Sequence, residues 1–262
     1  MAKVPATGTV VAKARVNLPV DVNAQMAAEV AAIQNRISAP SGDRITVTQG
    51  KTFKLANGLE VEEFEGIVVD FVAANYYYTD AFERGNITPP SCFAISMEPA
   101  GMTPSENSPD IQAGACASCW ANQFGSAGKG KACQNTRLLA VLPLDADVDT
   151  VISILKVSPT AIKGFDAHVS NVARKHGMPV RGVVTKFSFS DDAYSSVRFS
   201  DGGLANKDVI LMANARKAEA IQRLEVEPNT AAVESAGNKA PVRGKPAPAK
   251  VTTRGASAAA KR

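Results

Sequence analysis

The sequence has no run near the roughly 20 apolar residues that a bilayer-spanning helix needs. Its first 21 residues, MAKVPATGTVVAKARVNLPVD, scatter Lys3, Lys13 and Arg15 without a continuous apolar stretch. Neither a membrane span nor a secretory leader is expected, and the expected location is cytoplasmic. Histidine is scarce: His168 and His176 lie eight apart in one segment, expected at the surface or boundary rather than as ligands. No Ser/His/Asp frame for nucleophilic catalysis can be assembled. GSAGKGK lacks the G-x-x-x-x-G-K-[ST] frame, because Lys131 is followed by Ala132, which excludes a phosphate-binding NTPase loop. Glu60, Glu62, Glu63 and Glu65 cluster in LEVEEFE, where alternation reads as a solvated strand face rather than a metal-nuclease site. No catalytic set emerges, and the chain is expected not to be an enzyme.

Acidic residues are absent from 236 to 262, where seven basic residues stand. The formal charge of +4 therefore conceals −3 over residues 1–235. This tail is rich in Ala, Pro and Gly and has little to bury, so disorder is expected from about 226 onward. A solubilising role and contact with a polyanion both remain open for it.

What is present is ordinary globular material, 45% hydrophobic and 21% charged, enough for a sizeable core. Residues 1–40 form an N-terminal extension, with a helix expected over 21–39 from Met26, Val30, Ile33 and Ile37. At least three strands are expected over 44–78, with ANG at 56–58 as a hairpin turn. TRLLAVLPL (136–144) and DTVISILKV (149–157) read as strands. The segment 158–179 reads as a helix, with Ser158 as N-cap, Pro159 at its first position, Ile162, Phe165, Val169 and Val172 inward, and Gly177 and Pro179 as the stop. Residues 180–190 and 195–200 read as strands joined through DDAY, and a last helix falls within 204–226. Several strands, one helix and a terminal hairpin is the order of an OB-fold. The expected class is α+β, mainly β: an OB-fold-like barrel over 41–225 with an inserted four-cysteine zinc lobe at about 90–135 and flanking helices. A mixed α+β sheet gives the same element order.

The four cysteines have the spacing C-x23-C-x2-C-x13-C. Cys116-x2-Cys119 is a knuckle that aims two sulfurs at one point, as tetrahedral Zn2+ requires. Cys133 and Cys92 complete four thiolates. Only one CxxC is present, so this is not a two-knuckle ribbon. A redox pair and an iron-sulfur cluster stay as alternatives.

Residues 111–144 and 167–190 contain no acid. The first run carries Trp120, Lys129, Lys131 and Arg137, with Phe124 nearby; the second carries Arg174, Lys175, Arg181 and Lys186 and leads into Phe187 and Phe189. With Lys163, Arg198, Tyr76 and Tyr78, these are the candidate nucleic-acid contacts. Cations that follow phosphates, interleaved with rings that stack bases, are what sequence-tolerant single-strand binding needs. The alternative is that Phe187, Phe189 and Phe199 are core.

NYYYTDAFERGNITPPSCFAI, CASCWANQFGSAGKGKACQNTRLLAVLPLD and LKVSPTAIKGFDAHVSNVAR resemble an uncharacterised family of tailed-phage zinc-knuckle proteins. The likeness spans about residues 40–200. The chain is also similar to T-even-type phage single-stranded DNA-binding proteins, whose OB-fold carries a zinc subdomain. The resemblance implies Cys92, Cys116, Cys119 and Cys133 as ligands to a structural Zn2+, single-stranded DNA as partner, phage or host replication and recombination proteins as further partners, and the host cell cytoplasm as location. Two features depart from the T-even pattern: all four ligands are cysteines, with no histidine, and the tail is basic rather than acidic. The expectation is thus a single-stranded DNA-binding protein of phage replication and recombination. The alternative is a zinc-stabilised adaptor or regulator that contacts replication machinery without a dedicated DNA groove.

Overall fold

The computed structural model describes residues 22, 44–79, 88–147, 149–190 and 196–230. The helix expected at 21–39 (apart from helical Val22), the DDAY turn and residues 231–262 lie outside the described residues. No described helix is long and apolar enough to cross a membrane. The described residues from 44 onward are mostly β, with a mixed sheet and three α-helices. The chain divides into two units, residues 1–71 with 136–224, and residues 72–135 with 225–262.

The first unit is built on strands β1 (Arg44–Val47), β2 (Phe53–Lys54), β3 (Glu60–Val61), β4 (Phe64–Tyr77), β6 (Cys133–Pro143), β7 (Ser153–Val157), β8 (Val183–Phe189) and β9 (Val197–Leu204). Strands β4 and β6 run on into the second unit, where β5 (Cys92–Ser96) pairs with β4. The strand order is β3-β2-β1-β7-β6-β4-β8-β9. β1 runs parallel to β7, whereas β1–β2, β2–β3, β6–β7, β4–β8 and β8–β9 are antiparallel.

Local chemistry accounts for several of these elements. The expected ANG turn forms between β2 and β3: Gly58, at φ 84°, donates its N–H to the Leu55 carbonyl at 2.9 Å, and Asn57 Oδ1 accepts from Leu59 N–H at 3.0 Å. A left-handed φ favours glycine because it has no Cβ to clash. In β4, a Cβ on Gly66 would stand 2.9 Å from the Leu142 carbonyl oxygen, so glycine permits the approach of β4 to β6. Helix α1 (Ile162–His176) begins later than the sequence suggests. Ser158 is not its cap: the Ser158 hydroxyl lies 3.0 Å from that of Thr160, and its carbonyl accepts from Ala161 N–H in a turn. The stop is as expected, with Gly177 at φ 63° donating to the Ala173 carbonyl. The last expected helix is two: α2 (Lys207–Ala215), capped by Asn206 Oδ1 accepting from Val209 N–H at 2.9 Å, and α3 (Lys217–Leu224). Arg216, between them, donates to the Thr150 carbonyl and pairs with both oxygens of Glu219. That pairing, with Arg223 beside it, holds the Glu219 carboxyl below its usual range.

The core gathers Val68, Leu139, Leu155, Val157, Phe165 and Phe187. Rings form a continuous series: Phe64 stacks on Phe187 at 4.4 Å, Phe187 meets Phe199 at 5.7 Å edge-on, and Phe199 meets Phe165 at 5.2 Å. Such pairs contribute about 0.5–1.5 kcal/mol each beyond area burial.

His168, expected near the surface, is buried on α1 at 5% exposure, with its Nε2 3.1 Å from Thr185 Oγ1. Burial lowers its pKa, only partly opposed by Asp201. The unfolded chain therefore takes up the proton at higher pH than the folded one, and stability falls as pH drops below the ordinary value of about 6.5. Thermal melts of His168→Gln are expected to lose part of the decline in Tm seen in the native chain between about pH 7 and 5. Parallel pH curves for the two proteins would contradict this.

Candidate functional site

The second unit holds all four cysteines. Cys92 opens β5, Cys133 opens β6, and the Cys116–Cys119 knuckle lies in the loop between them. The antiparallel register of β4 on β5 sets Tyr77 opposite Cys92 and Asn75 opposite Ala94. Side chains two apart share a strand face, so Cys92, Ala94, Asn75 and Tyr77 form one face. Likewise Cys133 and Asn135 share a face of β6.

All four thiols line one cavity of about 20 Å3, close to the room one water-sized body needs. Cys119 and Cys133 are buried, Cys92 and Cys116 half-buried, and all four are free thiols. Burial, with Cys116, Cys119 and Cys92 as neighbours, pushes the Cys133 thiol up to about 12. Burial also raises Cys116, although a hydrogen bond from Asn75 opposes this. Among the described residues no group of three or more His, Cys, Asp or Glu stands close enough as placed to hold a metal ion. The sulfurs thus share a cavity and one another's fields without being drawn to ligand distance. In chemistry the set suits a soft dication: four thiols on one cavity supply the sulfur ligands of a tetrahedral site, and a shared positive charge would offset the cost of ionising half-buried Cys116 and buried Cys133.

The knuckle is held by its own backbone. Cys116 N–H donates to the Met102 carbonyl at 3.0 Å, and Asn122 N–H to the Cys119 carbonyl at 3.1 Å. Asn122 Nδ2 reaches back to the Cys116 carbonyl at 2.8 Å, and Gln123 Nε2 to that of Ala117 at 2.9 Å. Ser126 Oγ donates to the Ala121 carbonyl and accepts from Ala132 N–H, both at 2.9 Å. The Asn-x-x-Gly-Ser element is therefore a brace for the loop. Gly125 and Gly128, at φ 92° and 66°, let the chain double back between Ala127 and Gly130.

This loop also carries rings and cations, of which Lys131 is half-buried and donates Nζ–H to Asn122 Oδ1 at 3.1 Å. Phe124 is 82% exposed, with Lys131 Nζ 5.2 Å from its ring centroid. Trp120 is 43% exposed, donates Nε1–H to Gln112 Oε1 at 3.1 Å, and meets Tyr77 edge-on at 5.6 Å. Lys129 is exposed on the Gly128–Gly130 turn. The structure thus keeps Trp120, Lys129 and Lys131 of the expected contacts on one loop, sets Lys131 against Phe124, and shows Phe124 as the most exposed large apolar side chain among those described.

Other expected contacts are otherwise engaged. Phe187 is fully buried and Tyr76 is 8% exposed, so these two rings are packing residues rather than stacking surfaces. Tyr78 is half-buried. In the first unit Arg137 pairs with Asp166 at 3.3 Å, Lys186 with Glu65 at 2.8 Å, and Lys175 with Asp201 at 2.5 Å. Hydrogen bonds from Lys175, His176 and the Gly203 N–H hold Asp201 well below the usual carboxylate range. Arg174 and Arg181 donate to the neutral side chains of Asn171 and Asn214, and Lys163 and Arg198 are exposed.

Sequence reading passed over Asn75 and Asn135, which bond to each other at 2.6 Å. The available signal was a polar amide inside the otherwise apolar or aromatic run FVAANYY. Comparison with protein-family models, curated proteins and solved structures returned no match.

Proposed function

We propose that this chain is a non-enzymatic, sequence-tolerant single-stranded DNA-binding protein of phage replication and recombination, acting in the host cytoplasm, with a structural Zn2+ held by Cys92, Cys116, Cys119 and Cys133. The observation that carries the reading is the exposed Phe124 ring beneath the Lys131 ammonium, on the loop that also carries half-exposed Trp120. An isolated apolar ring at this exposure gains nothing in folding, whereas a base can stack on it while Lys129 and Lys131 take the flanking phosphates. The metal supplies no reaction; when bound it neutralises the thiolates and fixes the loop that presents the rings.

Strand order supports an OB-like frame. The run β7-β6-β4-β8-β9, with α1 between β7 and β8, is the order of the third, second, first, fourth and fifth OB strands. The cysteine loop is then an insertion between the first and second strands, a loop that OB-folds use on oligonucleotides. One edge departs from a closed barrel: β7 pairs with β1 there. The likeness to T-even-type phage proteins agrees with this frame.

The adaptor reading is favoured by one observation, the pairing of Arg137, Lys175 and Lys186 with carboxylates in the first unit. A salt-titrated binding assay with dT oligonucleotides separates the two. Binding that weakens with salt, and is retained when residues 236–262 are deleted, is expected of the single-strand binder. Phe124→Ala is expected to weaken binding about 5- to 150-fold, the equivalent of the roughly 1–3 kcal/mol that one stacked base contributes. No dT binding at low salt would overturn the proposal; binding lost with the tail would favour the adaptor.

A further inference from the structure

We infer that Asn75 is a positioning residue for the cysteine metal centre: its side-chain amide, locked by Asn135, donates a hydrogen bond to the Cys116 sulfur and holds it toward the cavity. The inference rests on the zinc reading above, and it names a residue outside the cysteine set.

Three observations carry it. Asn75 is 8% exposed near the C-terminal end of β4, flanked by fully buried Ala74 and by Tyr76, and it lines the same cavity as the four cysteines. An amide buried among apolar neighbours is costly unless its polar atoms are engaged. Its Oδ1 accepts from Asn135 Nδ2 at 2.6 Å, which fixes the amide's orientation and leaves its N–H2 for another acceptor. We assign that acceptor to Cys116, which lines the same cavity as the Asn75 amide; the direction agrees with Asn75 opposing the rise that burial imposes on the Cys116 thiol. The strand registers explain the arrangement. Asn75 lies two residues before Tyr77, the partner of Cys92, and Asn135 two after Cys133, so the amide pair shares strand faces with two of the thiols.

A thiolate that ligates a dication keeps lone pairs facing away from the metal. A donor on that side stabilises the thiolate and restricts its rotation, the part that outer-shell partners take in metal sites. Asn75 has the additional effect of tying the knuckle sulfur to β4, an element set by the sheet rather than by the loop.

The test is Zn2+ affinity of the full chain by competition with a chromophoric chelator, together with the sulfur-to-metal charge-transfer bands of the Co2+-substituted protein. Asn75→Leu is expected to lose about 10- to 100-fold in Zn2+ affinity, as outer-shell substitutions do, and to shift the Co2+ bands. Asn75→Ser, which keeps a donor, is expected to restore part of both. Should Asn75→Leu fail to fold, Asn135→Leu carries the test, because Asn135 is only half-buried and its loss unlocks the amide; a smaller loss with the same spectral change is expected. Unchanged affinity and unchanged Co2+ bands in these variants, beside a native chain that binds one metal through four thiolates, would overturn the role of Asn75 alone. A native chain that binds neither Zn2+ nor Co2+ would overturn the zinc reading itself.

Discussion

On the proposed zinc reading, removal of the metal by a chelator is expected to collapse the cysteine loop and to change the emission of Trp120, the single tryptophan of the chain. Trp120 follows Cys119 directly and opens the short 3-10 turn to Asn122. Its edge-on contact with Tyr77 and its bond to Gln112 depend on the knuckle staying closed. Beyond the hydrogen bonds of Asn122, Gln123 and Ser126 the loop has little apolar packing: its cluster consists of Cys119, Ala121 and Cys133, with Tyr77, Ala113 and Ala132 against it. Structural zinc contributes about 10–16 kcal/mol in zinc-finger peptides, as much as the roughly 5–15 kcal/mol that stabilises a whole domain. A strong chelator should therefore release one Zn2+ per chain and abolish the near-UV signal of Trp120. Cys119→Ser should reproduce the effect without chelator. An unaltered Trp120 spectrum after exhaustive chelation, with no zinc released, would mean that the thiols pack without a metal.

The second large effect is expected at Phe187. Truncation to alanine removes a fully buried ring that contacts Phe64 and Phe199, and should cost about 3–5 kcal/mol in denaturant unfolding. Affinity of the folded fraction for dT should change little. Phe124→Ala should do the reverse, leaving stability near native and weakening DNA binding, because an 82% exposed ring contributes little to folding. The pair thus forms a crossed comparison of core and surface. Native-like stability with lost binding in Phe187→Ala would contradict the burial of that ring and return it to the DNA surface.

The two phenylalanines illustrate why sequence and structure part company. Phe187 and Phe189 alternate in a basic, acid-free run, a pattern that a stacking face and a half-buried strand share. Which side faced inward depended on β8 lying between β4 and β9, bringing Phe64 and Phe199 against Phe187. His168 shows the same dependence. Its place on α1 with Phe165 and Val172 was visible in the helical period, but its burial required Thr185 on β8 as a partner. The basic character of 167–190 also weakened once Glu65 and Asp201 were brought in from other strands.

Local signals were more durable. Asn57–Gly58 produced its turn, and Gly177 ended α1. The split of the last helix at Arg216 had no such signal, because Arg216 is a good helix former and the break follows from its contacts with Thr150 and Glu219. Ser158 had the right chemistry for a cap, yet its hydroxyl faced Thr160 instead.

By itself the sequence determined the Asn57–Gly58 turn, the approximate strand and helix segments of the second half apart from the split at Arg216, and the identity of the four thiols, because these depend on backbone preferences and residue chemistry within a few positions. Tertiary structure decided the parallel pairing of β1 with β7, the burial of Phe187 and His168, and the convergence of Cys92, Cys133, Asn75 and the knuckle around one cavity, with Asn135 bonded to Asn75. Those outcomes join residues dozens of positions apart, and strand pairing across such distances is governed by the packing of whole faces rather than by any short pattern.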